Sequence, residues 1–113
     1  MKTIEREIIY YQTLDGKIPF KKWYLSIKDS ITRNKIDARI TRLELGNFGH
    51  CNSIGHGLME LKIDYGPGFR VYFGQSGHNI IILLCGGNKN SQTKDIQLAH
   101  EYWENYRRQY ENT

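Results

Sequence analysis

Gly57 to Asp95 reads GLMELKIDYGPGFRVYFGQSGHNIIILLCGGNKNSQTKD, three runs of strand character joined by two tight turns and followed by a glycine-rich loop carrying lysines. From Met59 to Tyr65 the residues alternate, with Met59, Leu61, Ile63 and Tyr65 on one face and Glu60, Lys62 and Asp64 on the other. After Gly66-Pro67-Gly68 the alternation resumes, setting Phe69, Val71 and Phe73 against Arg70 and Tyr72. A three-residue loop pairing Tyr65 with Phe69 puts every apolar side chain on one face, whereas a two-residue loop mixes the faces. This register places Asp64 opposite Arg70 and Lys62 opposite Tyr72. One solvent-facing side of the sheet then gathers a carboxylate, a phenol and two cations.

Ile80 to Cys85 contains no polar residue. Such a run implies a strand covered on both faces, central in its sheet. Cys85-Gly86-Gly87 ends it, and the glycines permit close backbone approach in the loop that presents Lys89. A cation held just past a strand end, beside Arg70 and Lys62, suits a phosphodiester.

With 113 residues, the chain forms one domain, 1–113, with a single modest core. Sixteen Lys and Arg against twelve Asp and Glu leave a net charge of +4, which favours a polyanionic partner without establishing one. The longest apolar run, Ile80 to Cys85, falls far short of the ~20 residues of a membrane helix. Met1 to Glu7 lacks the apolar segment of a signal peptide, so a cytoplasmic location without membrane attachment is expected. Cys51 and Cys85 are too few and too far apart for a disulfide framework and are expected to be reduced.

Ile4 to Tyr11 reads as a strand that pairs with the later sheet. Thr13 to Lys17 is a turn, and Pro19 suits the first turn of a helix in which Phe20, Trp23, Tyr24 and Ile27 repeat through Lys28. Asp29-Ser30 breaks that helix and caps a second one. Its buried stripe is Ile36, Ile40 and Leu43, its wet side Arg33, Lys35, Arg39 and Arg42, and Gly46 follows its end. The short break makes the pair an αα-hairpin, and Asn47 to His56 reads as a loop. Ile96, Ala99, Trp103, Tyr106 and Tyr110 trace the apolar face of a C-terminal helix. Asp95 falls at its positive end and Arg107 and Arg108 near its negative end, as the dipole favours. The expected architecture is α+β: an N-terminal strand, an αα-hairpin, a three-stranded antiparallel run and a C-terminal helix.

The runs ELKIDYGPGFRVYF and LLCGGNKNSQTKDIQLA resemble the phage-derived, HigB-like branch of the RelE/ParE toxin superfamily, the addiction module killer proteins. The resemblance covers nearly the whole chain and implies a single RelE-like domain. It also implies the toxin of a type II toxin-antitoxin system, a ribosome-dependent endoribonuclease (mRNA interferase) that inhibits translation. Its partners would be the ribosome, mRNA and a helix-turn-helix antitoxin, the last in a toxin-antitoxin hetero-oligomer. Carried over by position, Arg70 matches the arginine that opens the strand after the hairpin, and Lys62 a lysine on the strand before it. Lys89 matches a basic residue after the last central strand. Glu60 stands where RelE proper has a second lysine, and Asp95 or its neighbours where RelE proper has a tyrosine. Whether Tyr72 replaces that aromatic stays open.

The chemistry of the residues runs parallel to this. RNA carries its own nucleophile, the 2′-hydroxyl, so cleavage needs in-line positioning, charge neutralisation and proton transfers. Arg70 is suited to hold the scissile phosphate bidentately. Lys62 or Lys89 can exchange protons if cation crowding lowers a lysine pKa, and Glu60 can act as a base. Tyr72 can stack on a base or orient Lys62. Each residue also has an ordinary reading: Arg70 as the cross-strand partner of Asp64, Lys62 as a solvated lysine, Lys89 as a loop charge. Convergence of the three is what argues for a site. The Arg33, Lys35, Arg39 and Arg42 side reads as an ordinary solvated face, with a ribosomal-RNA footprint as the other reading. His50, Cys51, His56 and Cys85 match no metal template, so neither metal nor cofactor is expected; His50 or His56 is a further candidate base. Two other functions stay in play: a ParE-like inhibitor of DNA gyrase, and a non-enzymatic domain that docks nucleic acid or antitoxin. A gyrase poison has no need for Arg70, Lys62 and Lys89 to converge, whereas a nuclease does, and the fold alone decides neither.

Overall fold

The computed structural model describes residues 4–110. Their order is β1 (Glu7–Tyr10), α1 (Pro19–Ser26), α2 (Ser30–Glu44), β2 (Cys51–Gly55), β3 (Leu58–Ile63), β4 (Phe69–Ser76), β5 (Ile80–Asn88), a 3-10 turn (Lys89–Ser91) and α3 (Gln92–Tyr110). The strands form one mixed sheet in the order β1-β5-β4-β3-β2. β2 to β5 run antiparallel, and β1 pairs with β5 in parallel, Glu7 opposite Ile80. The all-apolar β5 is interior, as its composition requires. Ile81 and Leu83 enter the layer under α1 and α2, while Ile82, Leu84 and Cys85 enter the layer under α3. A bulge lets Leu84 and Cys85 share that side, because the register slips between Tyr72, opposite Cys85, and Phe73, opposite Leu83.

Three expectations are corrected here. The antiparallel run has four strands, not three, because Cys51–Gly55 is β2 rather than loop; Cys51, Asn52 and Ser53 face Leu61, Glu60 and Met59. Its residues have no alternating apolar pattern, and pairing with β3 imposes the strand. Second, α1 and α2 do not form an αα-hairpin. The chain turns extended at Ile27, with φ −82° and ψ 113°, ending α1 earlier than expected and carrying the backbone across the sheet. Each helix then docks on the sheet: Trp23 lies over Gly86, where a Cβ would come within 2.3 Å of the indole, and Ile36 and Leu43 join the core of Leu61, Ile63 and Phe73. Tyr24 donates to Asp37 across the helices at 2.9 Å, and an open cleft of about 520 Å³ lined by Phe20, Tyr24, Leu25 and Ile40 lies beside them.

The third correction is the hairpin register. Lys62 faces Arg70 and Glu60 faces Tyr72, while Asp64 lies beyond the end of β3. The connection is wider than Gly66–Gly68: Ile63 pairs with Phe69, Gly68 N–H donates to Tyr65 C=O at 3.0 Å, and Gly66 and Gly68 take φ of +58° and +85°. The slip is two residues, so each side chain keeps its face. Lys62 and Arg70 therefore share one side of the sheet.

Asp29 caps α2, accepting from the backbone N–H of Ile31 and Thr32 and from the Thr32 hydroxyl at 2.6 Å. Arg39, expected on the wet side of that helix, is only 7 % exposed. The turn after α2 folds back over it, so that Nη2 donates to Phe48 C=O at 2.5 Å and Nη1 is buried without a hydrogen bond. Lys35 and Arg42 are exposed as expected, and Arg33 is half-buried. On α3, Ala99 and Trp103 are buried, while Tyr110 is largely exposed. Among the described residues, no helix is long and apolar enough to cross a membrane.

Candidate functional site

Side chains at 60, 62, 70 and 72 lie on the α3 side of the sheet, because Leu61, Ile63, Val71 and Phe73 fill the opposite core. Lys62 pairs with Arg70, and Arg70 with Gly87. The ladder continues outward, where Lys62 N–H donates to His50 C=O at 3.0 Å. A row of His50, Lys62, Arg70 and Gly87 thus crosses four neighbouring strand segments. The next row is Asn52, Glu60, Tyr72 and Cys85.

This side is not the open face that alternation alone suggests, because α3 begins over it. Tyr72 is fully buried, and its hydroxyl donates to Glu60 Oε2 at 3.1 Å. Burial first, and then the Glu60 charge, pushes the Tyr72 phenol far above its ordinary range. Its ring offers no surface to a nucleobase; its contact is with Glu60. Gln92, in the first turn of α3, donates to the same oxygen at 2.8 Å, and Arg70 Nε stands 3.5 Å away as an ion pair. Glu60 is therefore enclosed by three donors. Such a carboxylate holds its neighbours in place. Arg70 Nε has no hydrogen bond of its own.

Lys89 opens the 3-10 turn and is exposed. Its N–H donates to Gly68 C=O at 3.1 Å, and a Cβ on Gly68 would lie 3.9 Å from Arg70 Nη1. Both residues therefore border the tip of the β3–β4 connection. The turn itself is fixed by Asn88, whose side chain accepts from the N–H of Asn90 at 2.8 Å and of Ser91 at 3.2 Å. Ser91 donates to Asp95 at 2.5 Å, and Asp95 occupies the space that Gly87 leaves: a Cβ there would sit 1.8 Å from Oδ2. Gly87 is needed for this close approach, since any side chain would expel the start of α3.

The structure thus brings Arg70, Lys62, Glu60 and Tyr72 together on one side of the sheet, with Lys89 at its end. Asp64 is not opposite Arg70; it lies 3.4 Å from His50 Nδ1, both side chains well exposed. That pair, and Gln92, escaped sequence reasoning, because both depend on pairings that no local pattern records. His56 lies at the far end of β2, its carbonyl accepting from Trp103 Nε1 at 2.7 Å and its ring 5.7 Å from that of His100. These rings border a cleft of about 770 Å³ against α3. Cys51 and Cys85 are free thiols. Burial raises the Cys51 thiol, and burial, followed by the Asp95 charge, pushes Cys85 up to about 12. Among the described residues, no group of three or more His, Cys, Asp or Glu could hold a metal ion.

No family model matches the chain. It is 45 % identical over 82 residues to an uncharacterized protein of Haemophilus influenzae strain Rd, an alignment covering 73 % of this chain and 83 % of that one. The chain belongs to the family of that Haemophilus influenzae protein.

Proposed function

We propose that this protein is the toxin of a type II toxin-antitoxin pair and acts as a metal-independent, ribosome-dependent endoribonuclease in the cytoplasm, countered by a helix-turn-helix antitoxin. The observation that carries this reading is the convergence of Arg70, Lys62 and Lys89 around one end of the sheet. The family resemblance of the runs holding these residues supports it. Arg70, braced by Glu60, neutralises the scissile phosphate and stabilises the charge that develops on it. Lys89 meets the same phosphate from the exit turn, and Lys62 promotes the proton transfers that accompany attack by the 2′-hydroxyl. The ribosome supplies the in-line geometry of the strand.

The test is primer extension on translated mRNA from cells expressing wild type or Arg70→Ala, with supercoiling of a reporter plasmid followed in parallel. Losing one such donor costs on the order of 10²–10³ in rate, so translation-dependent cuts and growth arrest should vanish in the variant while the fold survives. A wild type that leaves mRNA whole and alters supercoiling replaces this reading with a gyrase poison.

A further inference from the structure

We infer that His50, oriented by Asp64, is the proton acceptor of this site. The inference rests on the ribonuclease reading above and completes it. The row His50, Lys62, Arg70 contains two cations and one imidazole. Glu60, the nearest carboxylate, has Tyr72, Gln92 and Arg70 around a single oxygen and a side chain only 4 % exposed. It is a brace, buried beneath the start of α3. Asp64 is open, but a carboxylate is a weak base at neutral pH, whereas imidazole is the side chain whose titration spans neutrality.

The geometry gives His50 a carboxylate partner. Nδ1 lies 3.4 Å from Asp64 Oδ2, a contact that favours the tautomer with its N–H on Nδ1 and leaves Nε2 as the accepting nitrogen. The ring is 55 % exposed, on the strand edge next to Lys62, where a single RNA strand can reach it. Its charged surroundings are Asp64 and Lys62 from the β3 segment, with Arg39 and Arg42 of α2 both close to neighbouring Gly49. In the reaction, Nε2 takes the proton of the 2′-hydroxyl as the 2′-oxygen bonds to phosphorus. The bond from phosphorus to the 5′-oxygen breaks, and that oxygen takes a proton from the Lys62 ammonium. The products are a 2′,3′-cyclic phosphate and a 5′-hydroxyl, and solvent restores both side chains.

The experiment measures the cleavage rate of a defined mRNA on purified translating ribosomes, across the neutral pH range. It compares wild type, His50→Gln, His50→Ala with and without added imidazole, and Asp64→Asn. General acid-base catalysis contributes about 10²–10⁴-fold, and His50→Gln should lose that much. The wild-type rate should rise with pH through the imidazole titration, and the variant should lose this limb. Imidazole should restore part of the His50→Ala rate, and Asp64→Asn should move the limb while retaining most ribosome binding. If wild type cuts and His50→Gln cuts equally fast with the same pH profile, this assignment is wrong while the ribonuclease reading stands. If wild type does not cut at all, both fall together.

Discussion

The two sides of the sheet are built from the same alternating strands, yet only one of them keeps polar strand side chains out of its core. Under α1 and α2, Phe20, Ile36, Leu43, Leu61, Val71, Phe73 and Leu83 close into a continuous apolar layer. Under α3 the layer begins equally apolar, with Leu58, Ile82, Ala99 and Trp103, and ends in Glu60, Arg70, Gln92 and Asp95. The difference lies in the covering helix. The later turns of α3 present Ala99 and Trp103, whereas its first turn presents Gln92 and Asp95. Polar strand residues are buried where the helix above them supplies partners, and stay open where it has not yet begun.

The comparison breaks most sharply on the dry side. Phe73→Ala removes a fully buried ring of the apolar core and should cost about 3–5 kcal/mol, read as a lower denaturation midpoint. Changing the ionic strength should leave that loss unaltered. On the polar side, Glu60→Ala leaves the Tyr72 hydroxyl and the Gln92 amide without their shared acceptor and the Arg70 guanidinium without its ion-pair partner. The expected cost is about 1–3 kcal/mol, with Glu60→Gln closer to wild type because it keeps an acceptor for the tyrosine. Equal losses for the two variants in chemical denaturation would show that Glu60 acts by volume alone. The smallest effect concerns the cap of α2. The Thr32 hydroxyl, followed by the backbone N–H groups, holds the Asp29 carboxyl below its ordinary range. Because that pKa is depressed on folding, its contribution is complete above the unfolded value of about 3.9 and fades as pH falls through the folded one. Asp29→Ala should therefore lower the melting temperature at neutral pH and make little difference in strong acid.

Side-chain parity was legible in the alternation of Met59–Tyr65 and Phe69–Phe73, because a slip of two residues leaves it intact. The interior position of β5 was legible for a similar reason, since six consecutive apolar residues leave no wet face. The slip itself was not, because it depends on how the Asp64–Gly68 backbone turns, with two glycines at positive φ. β2 was hidden in a segment without strand composition, and His50 lost its place in the row with it. Arg39 looked solvated by helical spacing alone; the turn that buries it arrives from outside the helix. The open face became a lined recess for the same kind of reason: Gly87 admits Asp95, and with it the start of α3, from residues that share no periodicity with the strands.

The parallel pairing of β1 with β5 also sets a timetable. β1 leaves the ribosome well before its partner Ile80–Leu83, which follows about seventy residues later, after the other described strands. β2, β3 and β4 can meet as local hairpins long before that, while β1 waits without a ladder. Until it docks, β5 offers an unpaired, wholly apolar edge, the kind of edge that recruits neighbouring chains. Slow or interrupted synthesis therefore prolongs the time that Ile8 and Ile9 wait without a partner strand. The same order delays the brace on Arg70, because Gln92 is made after β5, so an unfinished chain holds the cations without the frame that aims them.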